Sequence, residues 1–345
     1  MKNYALSIIG VAFLLLGACK GTQSGAQNTK SAKGYQHYAE TIKSETLLKH
    51  LTVVASDEME GRQTGSEGQK KAGRYLIGEY KKAGITYPTG AKDFYQPVPA
   101  SFLNSRRNLG LSDSENICAF IEGTDKKDEI VVITAHYDHV GVKGGEVYNG
   151  ADDDGSGTVA ILEVARAFQK AKDEGNGPRR SILILHVTGE EHGLFGSRYY
   201  TENPLFPLAN TVANINMDMI GRHDDAHKDN KNYIYVIGAD RLSSELHATI
   251  EKVNTEFTKM TLDYKLNDRN DPQRLYFRSD HYNFAKNGIP SVFLFSGLHE
   301  DYHKPGDDVE KIEFDMLTKR TKLVFGVAWE IANRDERLKV DRDGN

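Results

Sequence analysis

An α/β fold with a mixed, mostly parallel central sheet and helices on both faces is predicted by three features of this 345-residue chain. Short, largely apolar runs rich in β-branched residues occupy 116–121, 130–134, 181–187, 211–216, 233–237 and 291–295, the pattern of strands covered on both faces. Stretches with apolar residues at i, i+3, i+4 and i+7 fall between or beside them, at 38–54, 68–82, 158–170, 242–257, 280–286 and 317–332. Strands that alternate with helices in this way form a sheet with helices on either side. Finally, polar clusters follow directly after strands, and in open α/β sheets that edge is where ligands bind.

In chain order, Lys2 precedes an apolar run from Tyr4 to Leu16 that closes in Leu16-Gly17-Ala18-Cys19. The run is about 13 residues, too short to span a bilayer as a helix. It has the form of an export signal over residues 1–18, and its end resembles the lipobox of bacterial lipoproteins, in which the cysteine is acylated. Residues 19–34, rich in Gly, Ser, Thr, Gln and Lys, read as a flexible tether. Residues 35–340 then form a single domain, held at a membrane surface only through a lipid on Cys19 and located in the periplasm or at the cell surface, with the outer membrane as the expected anchor.

Net charge is −5 with scattered basic residues, which excludes a nucleic-acid binder, and 39% hydrophobic content excludes a largely disordered chain. Two cysteines at positions 19 and 118 make no disulfide framework, and Cys118 sits in an apolar run as a core thiol. The connection Glu60–Gly68 is glycine-rich without phosphate-loop spacing, so it reads as structural. The loops 222–232 and 263–274 are polar insertions at the rim.

The chemistry centres on residues 136–157. The strand at 130–134 delivers His136, and after a loop Asp152, Asp153 and Asp154 stand at the mouth of a helix with Ser156 as its expected cap. Three carboxylates packed together repel one another unless a cation sits among them. Glu190 and Glu191 follow the next strand, Asp218 the one after, and His303 follows the strand at 291–295. Two imidazoles and four carboxylates, Asp152, Glu190, Glu191 and Asp218, are too many for one zinc with an open position and suit two, with one carboxylate shared. Nitrogen and oxygen donors without thiolates suit zinc, ahead of manganese or cobalt. One carboxylate must stay off the metals to move a proton, and the Glu190-Glu191 pair supplies a base and a ligand from adjacent positions. His299 competes with His303 in the same segment, while His139, His192 and His281 read as supporting or rim groups.

Gly150-Ala-Asp-Asp-Asp-Gly-Ser-Gly157, Gly189-Glu-Glu-His-Gly-Leu-Phe-Gly-Ser197, Asn216-Met-Asp218 and Tyr302-His303 together resemble the M28 family of zinc aminopeptidases. The resemblance runs over roughly residues 40–335 and takes in Ser279-Asp280-His281 and Gly288-Ile-Pro290. It implies a zinc-exopeptidase fold and two zinc ions, one bound by His136 and Asp218, the other by Glu191 and His303, with Asp152 bridging and Glu190 as general base. It also implies that Asp138 orients His136, that Asp307 does the same for His303, that the peptide between Asp152 and Asp153 is cis, and that Tyr276 places a hydroxyl near the developing oxyanion. The expected activity is removal of N-terminal residues from peptides. Alternatives are a glutaminyl cyclase-like transferase, or a carboxypeptidase or dipeptidase on the same metal centre. No acidic residue stands out in the sequence as a grip for the substrate's free amine.

Overall fold

The computed structural model describes residues 1–2 and 34–344. Contacts divide the chain into two units, residues 1–32 and 33–345, and the second carries everything below. The expected leader and tether, Cys19 included, lie outside the described residues apart from Met1, Lys2 and Gly34. Among the described residues no helix is long and apolar enough to cross a membrane.

The strands are β1 (Tyr95–Val98), β2 (Ser114–Ile121), β3 (Lys126–His136), β4 (Gly141–Lys143), β5 (Glu146–Tyr148), β6 (Arg180–Val187), β7 (Thr211–Met217), β8 (Tyr233–Ile237), β9 (Thr261–Asp263) and β10 (Ser291–Phe295). Eight of them join one sheet in the order β1-β2-β6-β3-β7-β10-β8-β9, and β4 pairs with β5 in a separate hairpin. The four central neighbours β6, β3, β7 and β10 are mutually parallel. Antiparallel β2 and β8 flank them. Mixed pairing around a parallel centre is the predicted class.

The continuous apolar runs are explained by what covers them. Val131, Ile133 and Ala135 of β3 pack with Ile182 and Ile184 of β6 under the helices Gly157–Asp173 and Phe314–Asn333. Ile130 and Val132 point the other way, with Leu183, Leu185 and Val187, toward Tyr200 and Phe284. Neither face meets water, so a strand here has no polar alternate positions. Cys118 belongs to this second cluster, buried and free, and burial pushes its thiol up.

Three local expectations are corrected. The helix expected over 38–54 is two, Tyr35–Ala39 and Ser44–Val54; the Thr41 hydroxyl donates to the Tyr38 carbonyl at the break (2.6 Å) and competes with the helical ladder. Ser156 is not an N-cap, because a wide π-type turn over Ala151–Ser156 already leads into helix Gly157–Asp173 and leaves Ser156 helical. Its hydroxyl donates to the Asp152 carbonyl instead, while Asp154 accepts the Gly157 N–H at 2.9 Å. The turn starts at Gly150, whose φ of 54° and lack of a side chain permit the Asp153 carbonyl to approach. Finally, the cis peptide lies between Asp153 and Asp154, one residue beyond the expected bond.

Candidate active site

Because β6, β3, β7 and β10 are parallel neighbours, their carboxyl ends open on one edge, and each hands over part of the site there. His136 is the last residue of β3. Glu190 and Glu191 follow β6, Asp218 follows β7, and the loop after β10 carries His299, Tyr302, His303 and Asp307. The Asp152–Asp154 turn lies between these loops.

The three aspartates have different tasks. Asp154 accepts the backbone N–H groups of His136, Gly157 and Met219 (2.9–3.2 Å), so it ties β3, its following helix and the end of β7 together. Asp152 accepts the Gly221 N–H at 2.6 Å and faces His299 Nε2 at 3.2 Å. Asp153 alone turns into the cleft. Its Oδ1 is 3.2 Å from His136 Nε2 and its Oδ2 is 3.0 Å from His303 Nε2. The carboxylate shared between the two histidines is therefore Asp153, and the expectation for Asp152 is corrected by one residue.

Two groups of donors with metal-ligand spacing meet on Asp153. The first is His136, Asp153 and Asp218; the second is His139, Asp153 and Glu191. His303 joins the second, its Nε2 lying 2.9 Å from Glu191 and 3.0 Å from Asp153. His139 Nδ1 is 2.7 Å from Glu191 and 3.8 Å from Asp153, so this histidine, read from sequence as a supporting group, belongs to the cluster. One nitrogen of His303 touches both carboxylates at close range, which makes it the better placed of the two as a ligand. His299 faces Asp152 and stays outside.

Hydrogen bonds aim these groups. His136 Nδ1 donates to the Asp138 backbone carbonyl at 3.0 Å, which leaves Nε2 facing Asp153 and Asp218. The group of Asp138 that meets His136 is thus its carbonyl rather than the carboxylate expected to orient it. That carboxylate accepts the Thr64 hydroxyl (2.7 Å) and the Glu190 N–H (3.3 Å). Asp307 does not hold His303. It accepts the N–H groups of Asp152 and Asp153 at 3.0–3.1 Å and so fixes the acidic turn. Ser279 donates to Asp218 Oδ2 at 2.7 Å. Arg62, fully buried, donates to the carbonyls of Val54, Tyr137, Asn149 and Gly150, which gives the Glu60–Gly68 connection its structural role.

Electrostatics separates the two adjacent glutamates. Burial pushes the Glu190 carboxyl well above the usual range, Asp218, Asp280 and Glu191 add to this, and His136 opposes it. Burial and Asp153 also push Glu191 up, but its contacts with His139 and His303 prevail and bring it to about 2. A carboxylate held ionised among imidazoles suits a ligand, and one poised upward suits a proton carrier.

Tyr276 is not at the centre. Its ring is covered by the Arg241 guanidinium at 4.0 Å and packs beneath Gly238, and burial raises its hydroxyl while Arg241 opposes. Tyr302 lies nearer: it stacks on His303 and shares a cavity with Asp153, Glu190 and Asp218. Burial raises its hydroxyl, with Asp153 adding and Arg278 opposing. The signal for it was the Tyr302-His303 pair itself.

The donor set tests for a metal independently. His136 Nε2, Asp153 Oδ2, Glu191 Oε1 and both ring nitrogens of His139 are buried without a hydrogen-bond partner. Several such atoms converging on one point cost free energy unless something electropositive satisfies them. The residues fit a pair of divalent ions.

Comparison with known proteins places this arrangement. The sequence profile of Peptidase family M28 matches residues 116–328. This chain belongs to peptidase family M28. It is 32% identical over 225 residues to a probable leucine aminopeptidase of Trichophyton verrucosum, covering 63% of this chain and 57% of that protein. The chain thus spans somewhat over half the length of the curated relatives it matches first. Among solved structures, the LapA aminopeptidase of Legionella pneumophila superposes with a TM-score of 0.67 at 22% identity, over 88% of this chain and 75% of that one. BSAP, a zinc aminopeptidase from Bacillus subtilis, gives 0.64 at 17% identity, over 87% and 98%. At these identities the likeness of this M28 member to both is one of fold.

Proposed function

We propose that this M28 peptidase is a two-zinc aminopeptidase that removes N-terminal residues from peptides. The observation that carries the reading is Asp153, standing between two donor groups whose inward atoms have no other partner. His136, Asp153 and Asp218 would hold one ion, and Asp153, Glu191 and His303 would hold the other, with His139 packed against His303. When bound, the zinc pair supplies Lewis acidity, which polarises the scissile carbonyl and acidifies a water. Glu190, 3.9 Å from His136 Nε2 and outside both donor groups, takes the proton from water and returns it to the departing amine. Tyr302 donates its hydroxyl to the oxygen on which negative charge develops. Thr64, through Asp138, holds the Glu190 N–H and fixes where that carboxylate stands. Aminopeptidase rather than carboxypeptidase or dipeptidase activity is supported by the names of the relatives, and both donor groups being complete favours hydrolysis over the one-metal cyclase alternative. Residues 1–19 have the form of a lipoprotein leader, and we place the enzyme outside the cytoplasm on that ground.

The test is hydrolysis of a panel of aminoacyl 4-nitroanilides by zinc-loaded protein, with metals counted per chain. Loss of turnover in Glu190→Gln, with both zinc ions retained, is the expected result. A zinc-loaded wild type that cleaves no member of the panel overturns it.

A further inference from the structure

The cavity that opens onto Asp153, Glu190 and Asp218 has a volume of about 30 Å³. A water needs roughly 10–15 Å³ measured this way, so the space holds a short side chain. One wall is apolar: Met219, Leu275, Phe293, Phe295 and Leu298. Arg278 lines the same cavity, and its guanidinium reaches the hydroxyl of Tyr302, another lining residue.

Arg278 is placed there by the site itself. It follows the short 3-10 turn Leu275–Phe277 and donates its N–H to the Leu275 carbonyl at 3.0 Å. The next residue, Ser279, is bonded to Asp218, so the backbone at 278 is held one residue from a ligand of the centre. The side chain is exposed, and its one hydrogen bond to protein is a long one from Nη2 to the Tyr302 hydroxyl at 3.3 Å. Among the described residues no carboxylate lies within ion-pair distance of it, in a cleft otherwise crowded with carboxylates. By contrast Arg62 and Arg320, also unpaired with carboxylates, are saturated by backbone carbonyls. Of the five N–H donors of Arg278, most therefore have no protein partner.

A guanidinium with open donors beside an apolar wall recognises a carboxylate on a short aliphatic stem, and it does so in bidentate fashion. The substrate group entering a cavity next to the attacked carbonyl is the side chain of the residue being released. We infer that Arg278 selects peptides with an acidic N-terminal residue, aspartate or glutamate, by pairing with its side-chain carboxylate; this rests on the aminopeptidase reading of the same site. The methylene groups lie against Met219 and Leu298, and the carboxylate takes the donors that the protein leaves open.

The experiment compares Asp-, Glu-, Leu- and Met-4-nitroanilide on the full zinc-loaded chain and on Arg278→Met and Arg278→Lys. The decisive quantity is the ratio of kcat/KM for Glu or Asp over Leu, because loss of the bond to Tyr302 lowers turnover of every substrate alike. Wild type favours the acidic substrates; Arg278→Met lowers the ratio by about tenfold or more, chiefly through KM, and Arg278→Lys falls between. A preference for Leu in the wild type, or a ratio that Arg278→Met leaves unchanged, overturns the inference while the peptidase reading stands. So does a loss confined to free dipeptides such as Glu-Ala over their C-terminal amides, which assigns Arg278 to the C-terminal carboxylate. If no anilide is cleaved, the aminopeptidase reading falls, and calorimetric binding of free L-glutamate against L-leucine still decides the pocket. Wild type then binds glutamate more tightly and Arg278→Met does not; equal affinities overturn the assignment.

Discussion

Asparagine in place of Asp153, set beside the same change at Asp152, separates two adjacent residues that the structure gives different work. Asp153 touches His136 Nε2 at 3.2 Å and His303 Nε2 at 3.0 Å, so its charge is shared by both donor groups. Asn keeps the shape and removes the charge. If each ion loses one charge-assisted contact, at about 1.5–3 kcal/mol apiece, the pair loses about 3–6 kcal/mol. At 1.4 kcal/mol per tenfold, that is a fall of roughly 10²–10⁴ in the product of the two affinities. Asp152 accepts the Gly221 N–H at 2.6 Å, a bond that an Asn oxygen keeps. Its charge faces His299 on one side, which is favourable. It also faces Asp307, whose carboxyl burial and then Asp152 push up to about 6, which is not. These effects oppose, so Asp152→Asn changes stability by no more than about 2 kcal/mol and leaves metal content intact. Elemental analysis after dialysis against dilute zinc, with anilide hydrolysis alongside, reads both variants. Asp153→Asn is expected to fall below two ions per chain and lose turnover. The reverse outcome, metal lost in Asp152→Asn and kept in Asp153→Asn, refutes the reading of the turn.

Tyr302→Phe is expected to lower kcat by about 10²-fold with little change in KM, as removal of an oxyanion donor does, whereas Tyr276→Phe leaves kcat within about threefold; comparable losses in both would sink the distinction. Thr64→Val removes the hydroxyl that steadies Asp138 and, through it, Glu190, and should cost about 10–100-fold in activity with zinc still bound, checked by metal analysis on the same sample. Stability should also depend on pH through two histidines away from the metals. Burial drives His186 and His281 down to about 3, while the unfolded value is about 6.5. Each stays neutral in the folded state, so its contribution is whole above about pH 6.5 and is lost as pH falls toward the folded value. Between about pH 7 and about pH 5.5 the pair accounts for about 2–3 kcal/mol, and His186→Phe should recover roughly half of that loss in urea unfolding. An unchanged pH slope in the variant would falsify the assignment.

How much of this was legible from sequence depended on whether the signal was local. The runs that became β2, β3, β6, β7, β8 and β10 stand out because both faces of the sheet are covered there, and the site loops follow from their ends. β1 holds only four residues with Pro97 among them and sits at the sheet edge, where proline is tolerated and apolar pattern is weak. β9, at the other edge, is three residues long. The β4–β5 hairpin carries a local mark, Gly144-Gly145 between Val142-Lys143 and Glu146-Val147, within the stretch expected as a loop.

Identity within the acidic triplet is a different matter. Three consecutive aspartates have no composition, period or spacing to tell them apart. Which one faces the cleft is decided by the left-handed Gly150 and by the backbone N–H groups that claim its neighbours, Gly221 for Asp152, and His136, Gly157 and Met219 for Asp154. Those partners come from elements up to 69 residues away, so no local reading could have ordered them. The same holds for the tyrosines. Tyr276 stands at the right distance along the chain from Ser279-Asp280-His281, but Arg241 lies over its ring and draws it into a packed cluster. Tyr302 reaches the centre because it stacks on His303. Spacing along a chain predicts which loop a side chain occupies, while its direction is set by whichever distant group binds it first. Asp152, Asp307 and Tyr276, whose surroundings differ from the sequence expectation, have their partners on other strands or loops.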